Sequence, residues 1–271
     1  MRQAVSQSIG ALRSVMGGPV LTPDDTGFDD RRRVWNAGID RRPAAIARCA
    51  SAADAAAAVR HAQGHDLEIS VRGGAHNTAG TAVCDGGLMI DLSLPNSVAV
   101  DPAAQRAKVD GGALLADLDA ATQAHGLAVP AGLISHTGVG GLTLGGGMGW
   151  LSRELGLSID NLAAAEVATA DGRLRRASAA ENPELFWAIR GGGGNFGVVS
   201  SFEFQLHEID PVVQVGLFFW SLDQGPQALR LAGEITAAMP PGINAVIAAV
   251  NAPPAPFVPR RYHFAPGTRC C

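Results

Sequence analysis

Segments in which hydrophobic residues have helical spacing alternate along the chain with short apolar runs, and together they predict a mixture of helices and strands. The alanine-rich run 51–64 has helical spacing and opens on a Ser51-x-x-Asp54 capping pattern. Short apolar runs at 67–71 and 88–92 predict strands, joined by a glycine-rich loop over 73–87. This region therefore has the alternation of an α+β fold.

The middle of the chain continues the pattern with hairpins and helices. Residues 98–100 and 107–109 flank an Asp-Pro turn, and 163–170 and 173–176 flank Asp171-Gly172, so both pairs predict hairpins. Apolar spacing predicts a helix over 112–125. A second helix begins at Asn182-Pro183, with Asn as its N-cap, and ends at Gly191–Gly194, and a strand follows over 196–206.

The pattern restarts after residue 210. An apolar strand over 212–220, a helix near 227–238 and a strand over 245–250 are predicted. We therefore divide the chain into an N-terminal arm (1–42), a main domain (43–210) and an incomplete further domain (211–271).

Composition narrows the function to small-molecule chemistry. A net charge of -4 argues against binding to nucleic acid or an anionic membrane surface. Lys108 is the only lysine, and no Walker-type loop is present. The four cysteines have neither zinc spacing nor a disulfide framework, and no signal peptide or membrane-spanning run is found. We expect a cytoplasmic protein with no bound metal; export by a route that needs no signal peptide is the alternative.

Glycine is enriched and clustered. The 34 glycines among 271 residues exceed the usual frequency of about 7% and concentrate near residues 73–87, 132–149 and 191–197. Such loops let backbone N–H groups converge on a pyrophosphate. A tight turn explains the first loop equally well. The GxGxxG at 192–197 follows a helix and precedes a strand, the reverse of the Rossmann order.

His76 lies in the first glycine loop, where a neutral imidazole can act as a nucleophile. Taken alone, a loop histidine is more often a structural or surface residue. His61 and His65 have metal-ligand spacing, but Gly64 breaks the turn, so we interpret them as solvated surface.

Several ordered motifs resemble the berberine bridge enzyme-like FAD-linked oxidases of the vanillyl-alcohol oxidase superfamily. They are VRGGAHNTAGTAVCDGGLMIDL (71–92), GVGGLTLGGGMGW (138–150), LSIDN (157–161), Asp171-Gly172 and ELFWAIRGGGGNFG (184–197), and the similarity covers residues 30–255. The resemblance implies an α+β fold: a PCMH-type FAD-binding domain of two α+β subdomains, followed by an incomplete α+β substrate domain.

The resemblance also implies FAD as the cofactor and His76 as its covalent tether, bonded to the 8α-methyl carbon of the flavin. The residues expected to bind the cofactor are Arg72, Gly73, Gly74, Ala75, His76, Asn77, Thr137, Gly138, Gly140, Gly141, Gly145, Gly146, Gly149, Gly194 and Val199.

The sequence departs from the family in two places. Many members add a cysteinyl tether, but Ile134 stands nearest that position, so a single link through His76 is expected; Cys49 and Cys84 are expected to be small structural residues. Family members also continue well beyond the length found here, and residues 260–271 do not resemble them, which is typical of a truncated or frame-shifted gene. Tyr262, in that tail, cannot be assigned as a base, and the catalytic residues stay unknown.

The resulting hypothesis is an FAD-dependent oxidoreductase that oxidises an alcohol or C–H group of a small organic substrate by hydride transfer to the flavin. Oxygen or another acceptor would reoxidise the flavin. The alternative is a catalytically inactive FAD-binding remnant, which lacks a complete substrate domain.

Overall fold

The computed structural model describes residues 2–210, 212–248, 250–251, 254–256, 258, 260, 263 and 269–270. The chain divides into two compact units, Met1–Pro211 and Val212–Cys271. The predicted division at 42 and 210 stays a prediction, although residues before 42 contribute two helices and a strand to the first unit. Its Val20–Leu21 strand pairs with Ala45–Arg48.

The helices of the first unit are α1 (Arg2–Val15), α2 (Phe28–Arg32), α3 (Ala52–Gly64), α4 (Leu115–Gln123), α5 (Val139–Leu144), α6 (Ser152–Leu155) and α7 (Pro183–Gly192). Its strands are β1 (Val20–Leu21), β2 (Ala45–Arg48), β3 (Ile69–Arg72), β4 (Leu88–Asp91), β5 (Val98–Asp101), β6 (Arg106–Asp110), β7 (Leu127–Ala128), β8 (Leu162–Ala168), β9 (Leu174–Ser178), β10 (Val198–Gln205) and β11 (His207–Glu208).

Two larger sheets organise this unit. The first has the order β1-β2-β4-β3, with β2, β4 and β3 parallel, and the second has the order β5-β6-β10-β8-β9, with antiparallel pairs. All four residues of β4 are buried, as expected for a central parallel strand covered on both faces. In the antiparallel strand β10, buried and half-buried residues alternate from Ser200 onward.

Helix α3 contacts both sheets. Its alanines pack with Leu88 and Ile90 of the first sheet and with Ala168 and Val198 of the second, in one hydrophobic cluster. Alanine has no side chain beyond Cβ, so the helix can lie close to both layers. Arg60 adds a 2.6 Å hydrogen bond from its guanidinium to the Gly172 carbonyl, at the turn of the β8–β9 hairpin.

Most elements predicted for the first unit are confirmed. The helix at 51–64, the strands before and after the first glycine loop, both hairpins and the strand after the third glycine run are all present, with ends shifted by a few residues. Ser51 caps α3 by accepting a hydrogen bond from the Asp54 N–H. Asn182 precedes α7 but does not cap it through its side chain, which instead donates to the Arg176 carbonyl at 2.7 Å.

The second unit differs from the prediction. Helix α8 (Gly225–Ala238) is confirmed, but residues 212–220 form no strand and most of them are exposed. An apolar run needs a neighbouring strand to complete its hydrogen bonds, and within the described residues none pairs with it. Residues 245–248 form no strand either. Two short strands, β12 (Val250–Asn251) and β13 (Arg269–Cys270), pair with each other. Tyr262 lies outside the described residues.

No helix in the described part of the chain combines the length and the apolarity needed to span a bilayer.

Candidate cofactor site

The first glycine loop leaves the carboxyl end of the parallel strand β3, the edge at which open α/β sheets bind ligands. Arg72 ends the strand, and residues 73–77 turn away from the sheet. Ala75 has a left-handed backbone, with φ at 57°, and its carbonyl accepts a hydrogen bond from the Trp35 N–H at 3.0 Å. Within the described chain, the N–H groups of residues 73–76 donate to no protein acceptor, so they are free to bind an anion.

The first and second glycine loops meet at Gly74 and Gly138. A Cβ on Gly74 would lie 2.7 Å from the Gly138 Cα and 3.0 Å from the Thr137 carbonyl carbon, and a Cβ on Gly138 would lie 2.9 Å from the Gly74 Cα. Real Cβ atoms stay near 3.5 Å or further from carbon. The two backbones therefore approach this closely only because both residues are glycine.

Helix α5 begins directly after this contact. Gly140 packs against the ring of Phe202, where a Cβ would lie 3.2 Å away, whereas a Cβ on Gly141 would meet no atom within 4 Å. The N–H groups of Gly140 and Gly141 belong to the first helical turn and have no acceptor within the described chain. Gly141 therefore combines an N–H without a protein acceptor and open space on the side where a Cβ would stand.

The remaining predicted glycines occupy different surroundings. Gly145 and Gly146 end α5, and Gly146 accepts from the Ile159 N–H at 2.9 Å. Gly149 packs on the backbone of Ala131, whose carbonyl carbon would lie 2.8 Å from an added Cβ. Gly194 lies in a short 3-10 turn, Gly193–Phe196, that contacts α5, and a Cβ there would meet open space.

Val199 differs from the other predicted residues. Its side chain is buried in the core of the second sheet. Its carbonyl oxygen would lie 2.7 Å from a Cβ added to Gly111. The structure thus places the Val199 side chain in the protein core.

His76 is surrounded by two aromatic rings. Its Nε2 lies 2.6 Å from Nδ1 of His136, and their ring centroids are 4.6 Å apart. Trp35 stacks on His76 at a centroid distance of 5.2 Å and an interplanar angle of 21°. Burial, and then the charge of His136, lower the pKa of His76 from its ordinary 6.5. The imidazole is therefore neutral at neutral pH, as a nucleophile must be.

Arg72 and Asn77 frame the loop. Arg72 donates through its guanidinium to the Arg33 carbonyl, and its Nε is buried with no partner among the described residues. Burial is also the main cause that lowers the pKa of Arg72. The Asn77 carboxamide oxygen accepts from the Thr81 N–H at 3.3 Å, and the Asn77 carbonyl accepts from the Gly80 N–H at 3.1 Å. Asn77 thus bonds the backbone of the loop itself, whereas Arg72 links the start of the loop to the segment that contains Arg33.

These surroundings fit a dinucleotide cofactor. The free N–H groups of residues 73–76 and of Gly140 and Gly141 suit a pyrophosphate, which needs many donors and no lysine. The open faces of Gly141 and Gly194 leave room for the cofactor to approach the backbone. Arg72, His76 and residues 137–141 are thus brought together, whereas Gly149 and Val199 make protein contacts.

Sequence reasoning missed His136 and Trp35. The hydrogen bond between His76 and His136 joins residues 60 positions apart, and no periodicity reports such a contact. The only signal was the histidine in the segment 133–137, directly before the second glycine loop. Trp35, 60% exposed, lies outside every motif.

The fold and the glycine-loop site define an FAD-binding α+β protein of the PCMH type. A family model described as "FAD binding domain" matches residues 43–178. The chain belongs to this family, and within it to the berberine bridge enzyme-like FAD-linked oxidoreductases.

Two of the matches are hydroxynicotine oxidases. The chain is 44% identical over 219 residues to (R)-6-hydroxynicotine oxidase from Paenarthrobacter nicotinovorans, an alignment that covers 81% of this chain and 47% of the relative. The crystal structure of 6-hydroxy-D-nicotine oxidase from Arthrobacter nicotinovorans matches with a TM-score of 0.78 and 42% identity, covering 82% of this chain and 49% of that one.

A third match concerns a covalently bound flavin. A structure of glucooligosaccharide oxidase from Acremonium strictum, described for its 6-S-cysteinyl, 8α-N1-histidyl FAD, matches with a TM-score of 0.69 and 37% identity over 74% of this chain and 43% of that one. The chain thus spans about half the length of the relatives it matches.

Proposed function

We propose that this chain binds FAD across its first two glycine loops, links it covalently through His76 alone, and takes part in oxidising an alcohol or C–H group of a small organic substrate. The observation that carries the proposal is the contact between Gly74 and Gly138. It brings the free N–H groups of both loops and the His76 imidazole into one region.

Each part of the site has a role in this proposal. The N–H groups of residues 73–76, 140 and 141 bind the pyrophosphate, and Arg72 and Asn77 hold the shape of the first loop. Thr137 and Gly138 bring the second loop against it, while Gly145, Gly146, Gly149, Gly194 and Val199 support the walls around the nucleotide. When bound, FAD supplies a two-electron acceptor for hydride from the substrate. Oxygen or another acceptor then takes up those electrons.

The residues that could supply a second covalent link support a single tether through His76. Ile134 stands nearest the position of a cysteinyl link and is half exposed. Cys49 and Cys84 are buried, and burial raises the pKa of both thiols. Their burial argues against either thiol as a second attachment point.

The relatives support an oxidoreductase over a catalytically silent FAD-binding remnant, because the matched proteins are oxidases and FAD-linked oxidoreductases. The proposed substrate is a small organic molecule.

The tether is tested by acid precipitation of the full chain expressed with FAD. A yellow pellet is expected from the wild type and from His125→Ala, which changes an exposed histidine away from the glycine loops. A colourless pellet is expected from His76→Ala. Gel filtration of the native His76→Ala protein should still show bound flavin. A colourless wild-type pellet refutes the tether, and loss of flavin from the native wild type refutes FAD binding.

Turnover is tested separately by anaerobic mixing of the flavin-loaded chain with alcohols, sugars and hydroxylated cyclic amines. Bleaching of the visible flavin absorbance by a member of this panel supports the oxidoreductase. If the flavin stays oxidised with every compound, the silent remnant becomes the better description.

A further inference from the structure

The hydrogen bond between His76 and His136 limits which protonation states the pair can adopt. The two nitrogens lie 2.6 Å apart, so one carries a proton and the other a lone pair. His136 comes from the loop before α5, on the opposite side of the Gly74–Gly138 contact. The pair therefore depends on the same close approach that assembles the glycine loops.

The two possible arrangements have different chemical consequences. If Nε2 of His76 carries the proton, His136 accepts it and Nδ1 of His76 keeps a lone pair. If His136 donates instead, the lone pair on Nε2 is occupied and Nδ1 carries the remaining proton. Only the first arrangement leaves His76 with a free nucleophilic nitrogen.

The surroundings leave that nitrogen open. Within the described residues, no side chain or backbone group bonds to Nδ1 of His76. Nε2 of His136 likewise has no partner there, and the His136 side chain is exposed. A proton received on Nδ1 of His136 can therefore be passed on from Nε2 to water.

We propose that His136 is a positioning residue for flavin attachment: it holds His76 in the Nε2–H form and accepts that proton as Nδ1 of His76 bonds to the flavin. This inference rests on the proposed tether at His76. Nδ1 of His76 would form a bond to the 8α-carbon as one C–H bond of the 8α-methyl group breaks and its proton leaves to solvent, while His76 would lose its Nε2 proton to His136. The two electrons would pass through the flavin to molecular oxygen, which would take up two protons and leave as hydrogen peroxide.

The stack with Trp35 supports the same role. The Trp35 ring lies nearly parallel to the His76 ring, at an interplanar angle of 21°, and so restricts rotation of the imidazole about its Cβ–Cγ bond. With the ring plane restricted by Trp35 and one nitrogen bonded to His136, the direction of Nδ1 is determined. A fixed nucleophile loses less entropy on reaching the reacting carbon.

The first experiment measures the tautomer of His76 in the flavin-free full chain. Nitrogen NMR of 15N-histidine-labelled protein, assigned with His76→Ala, is expected to show a protonated Nε2 and a bare Nδ1. The variant His136→Phe keeps a ring at this place but removes the acceptor, and a mixture of tautomers is expected. Protonation at Nδ1 in the wild type, or an unchanged tautomer in His136→Phe, overturns the inference.

The second experiment measures the rate of covalent incorporation at saturating FAD, by flavin fluorescence in denaturing gels. A positioned proton acceptor contributes about 100-fold or more to a rate, so His136→Phe is expected to attach flavin about 100-fold more slowly. His136→Asn can accept the Nε2–H bond but cannot take up the proton. It is expected to restore the tautomer and to stay at least about tenfold slower than wild type.

The control is His125→Ala, which should match the wild type in both experiments. Attachment by His136→Phe at the wild-type rate overturns the inference. Because the rate is taken at saturating FAD, a change in affinity alone does not alter it. A wild type that binds FAD but never links it refutes the tether proposed above, while the NMR result on the flavin-free chain still decides the role of His136.

Discussion

The contact between the two glycine loops can be tested by adding a single methyl group. In Gly74→Ala, the new Cβ would lie 2.7 Å from the Gly138 Cα and 3.0 Å from the Thr137 carbonyl carbon. Ordinary carbon contacts are about 3.5–4.0 Å, so the loops must separate by roughly 1 Å. Neither obstacle is a flexible side chain that could turn away. The first turn of α5 would move with the second loop.

The expected loss of folding stability in Gly74→Ala follows from this geometry. Forcing an extra carbon into a well-packed contact costs about 1–3 kcal/mol, and backbone obstacles place this substitution at the upper end, about 3 kcal/mol. For a unit of this size, such a loss lowers the melting temperature by about 6–12 °C. The free N–H groups of the two loops would also lose their mutual position, so FAD affinity should fall.

Thermal unfolding followed by circular dichroism and titration with FAD measure both effects. Gly64→Ala is the matched control, because a Cβ there meets no atom within 4 Å and alanine favours a helix; it should melt at or slightly above the wild-type temperature. If Gly74→Ala melts within about 2 °C of the wild type and binds FAD equally well, the close approach of the loops does not hold the site together.

Three further predictions concern buried charge and titration. Asp54 is 4% exposed and accepts three backbone N–H bonds, so Asp54→Asn should lower the free energy of unfolding in urea by about 2 kcal/mol. Burial raises the pKa of Asp119, so Asp119→Asn should leave the free energy of unfolding at neutral pH unchanged. An equal loss of stability in the two variants would contradict the structural role of Asp54. Cys49 and Cys84 should resist alkylation in the folded chain and react after denaturation, which peptide mass spectrometry resolves; modification of either in the native protein would contradict its burial. His76 should titrate below 6.5 by NMR. Because the unfolded chain then binds the extra proton more readily, the contribution of His76 to stability is complete above 6.5 and declines as the pH falls toward its folded pKa; a midpoint at or above 6.5 would contradict the neutral imidazole.

Local patterns in the sequence were sufficient for much of the first unit. The alanine run of α3, the Asp171-Gly172 turn and the alternation in β10 each depend on neighbouring residues, so a short window contains the information. The ordered glycine motifs were likewise sufficient for the FAD-binding family. The composition of residues 73–77 already indicated a loop free of obstructing side chains.

Tertiary packing determined the features that depend on residues outside any short stretch of sequence. The segment 132–149 was predicted as a loop, yet residues 139–144 form α5, because packing on Phe202 offsets the low helix propensity of its two glycines. Conversely, the apolar run 212–220 has the composition of a strand but no neighbouring strand in the described chain, and it forms no regular structure and is mostly exposed.

The site shows the same division. The sequence by itself placed His76 in a glycine loop and, through the motifs around it, made it the expected flavin tether. It did not reveal the partner of His76, because His136 is 60 residues away and comes within 2.6 Å only where Gly74 meets Gly138. Which nitrogen of His76 is left free depends on that contact, and a contact between distant residues is determined by the packing of whole loops.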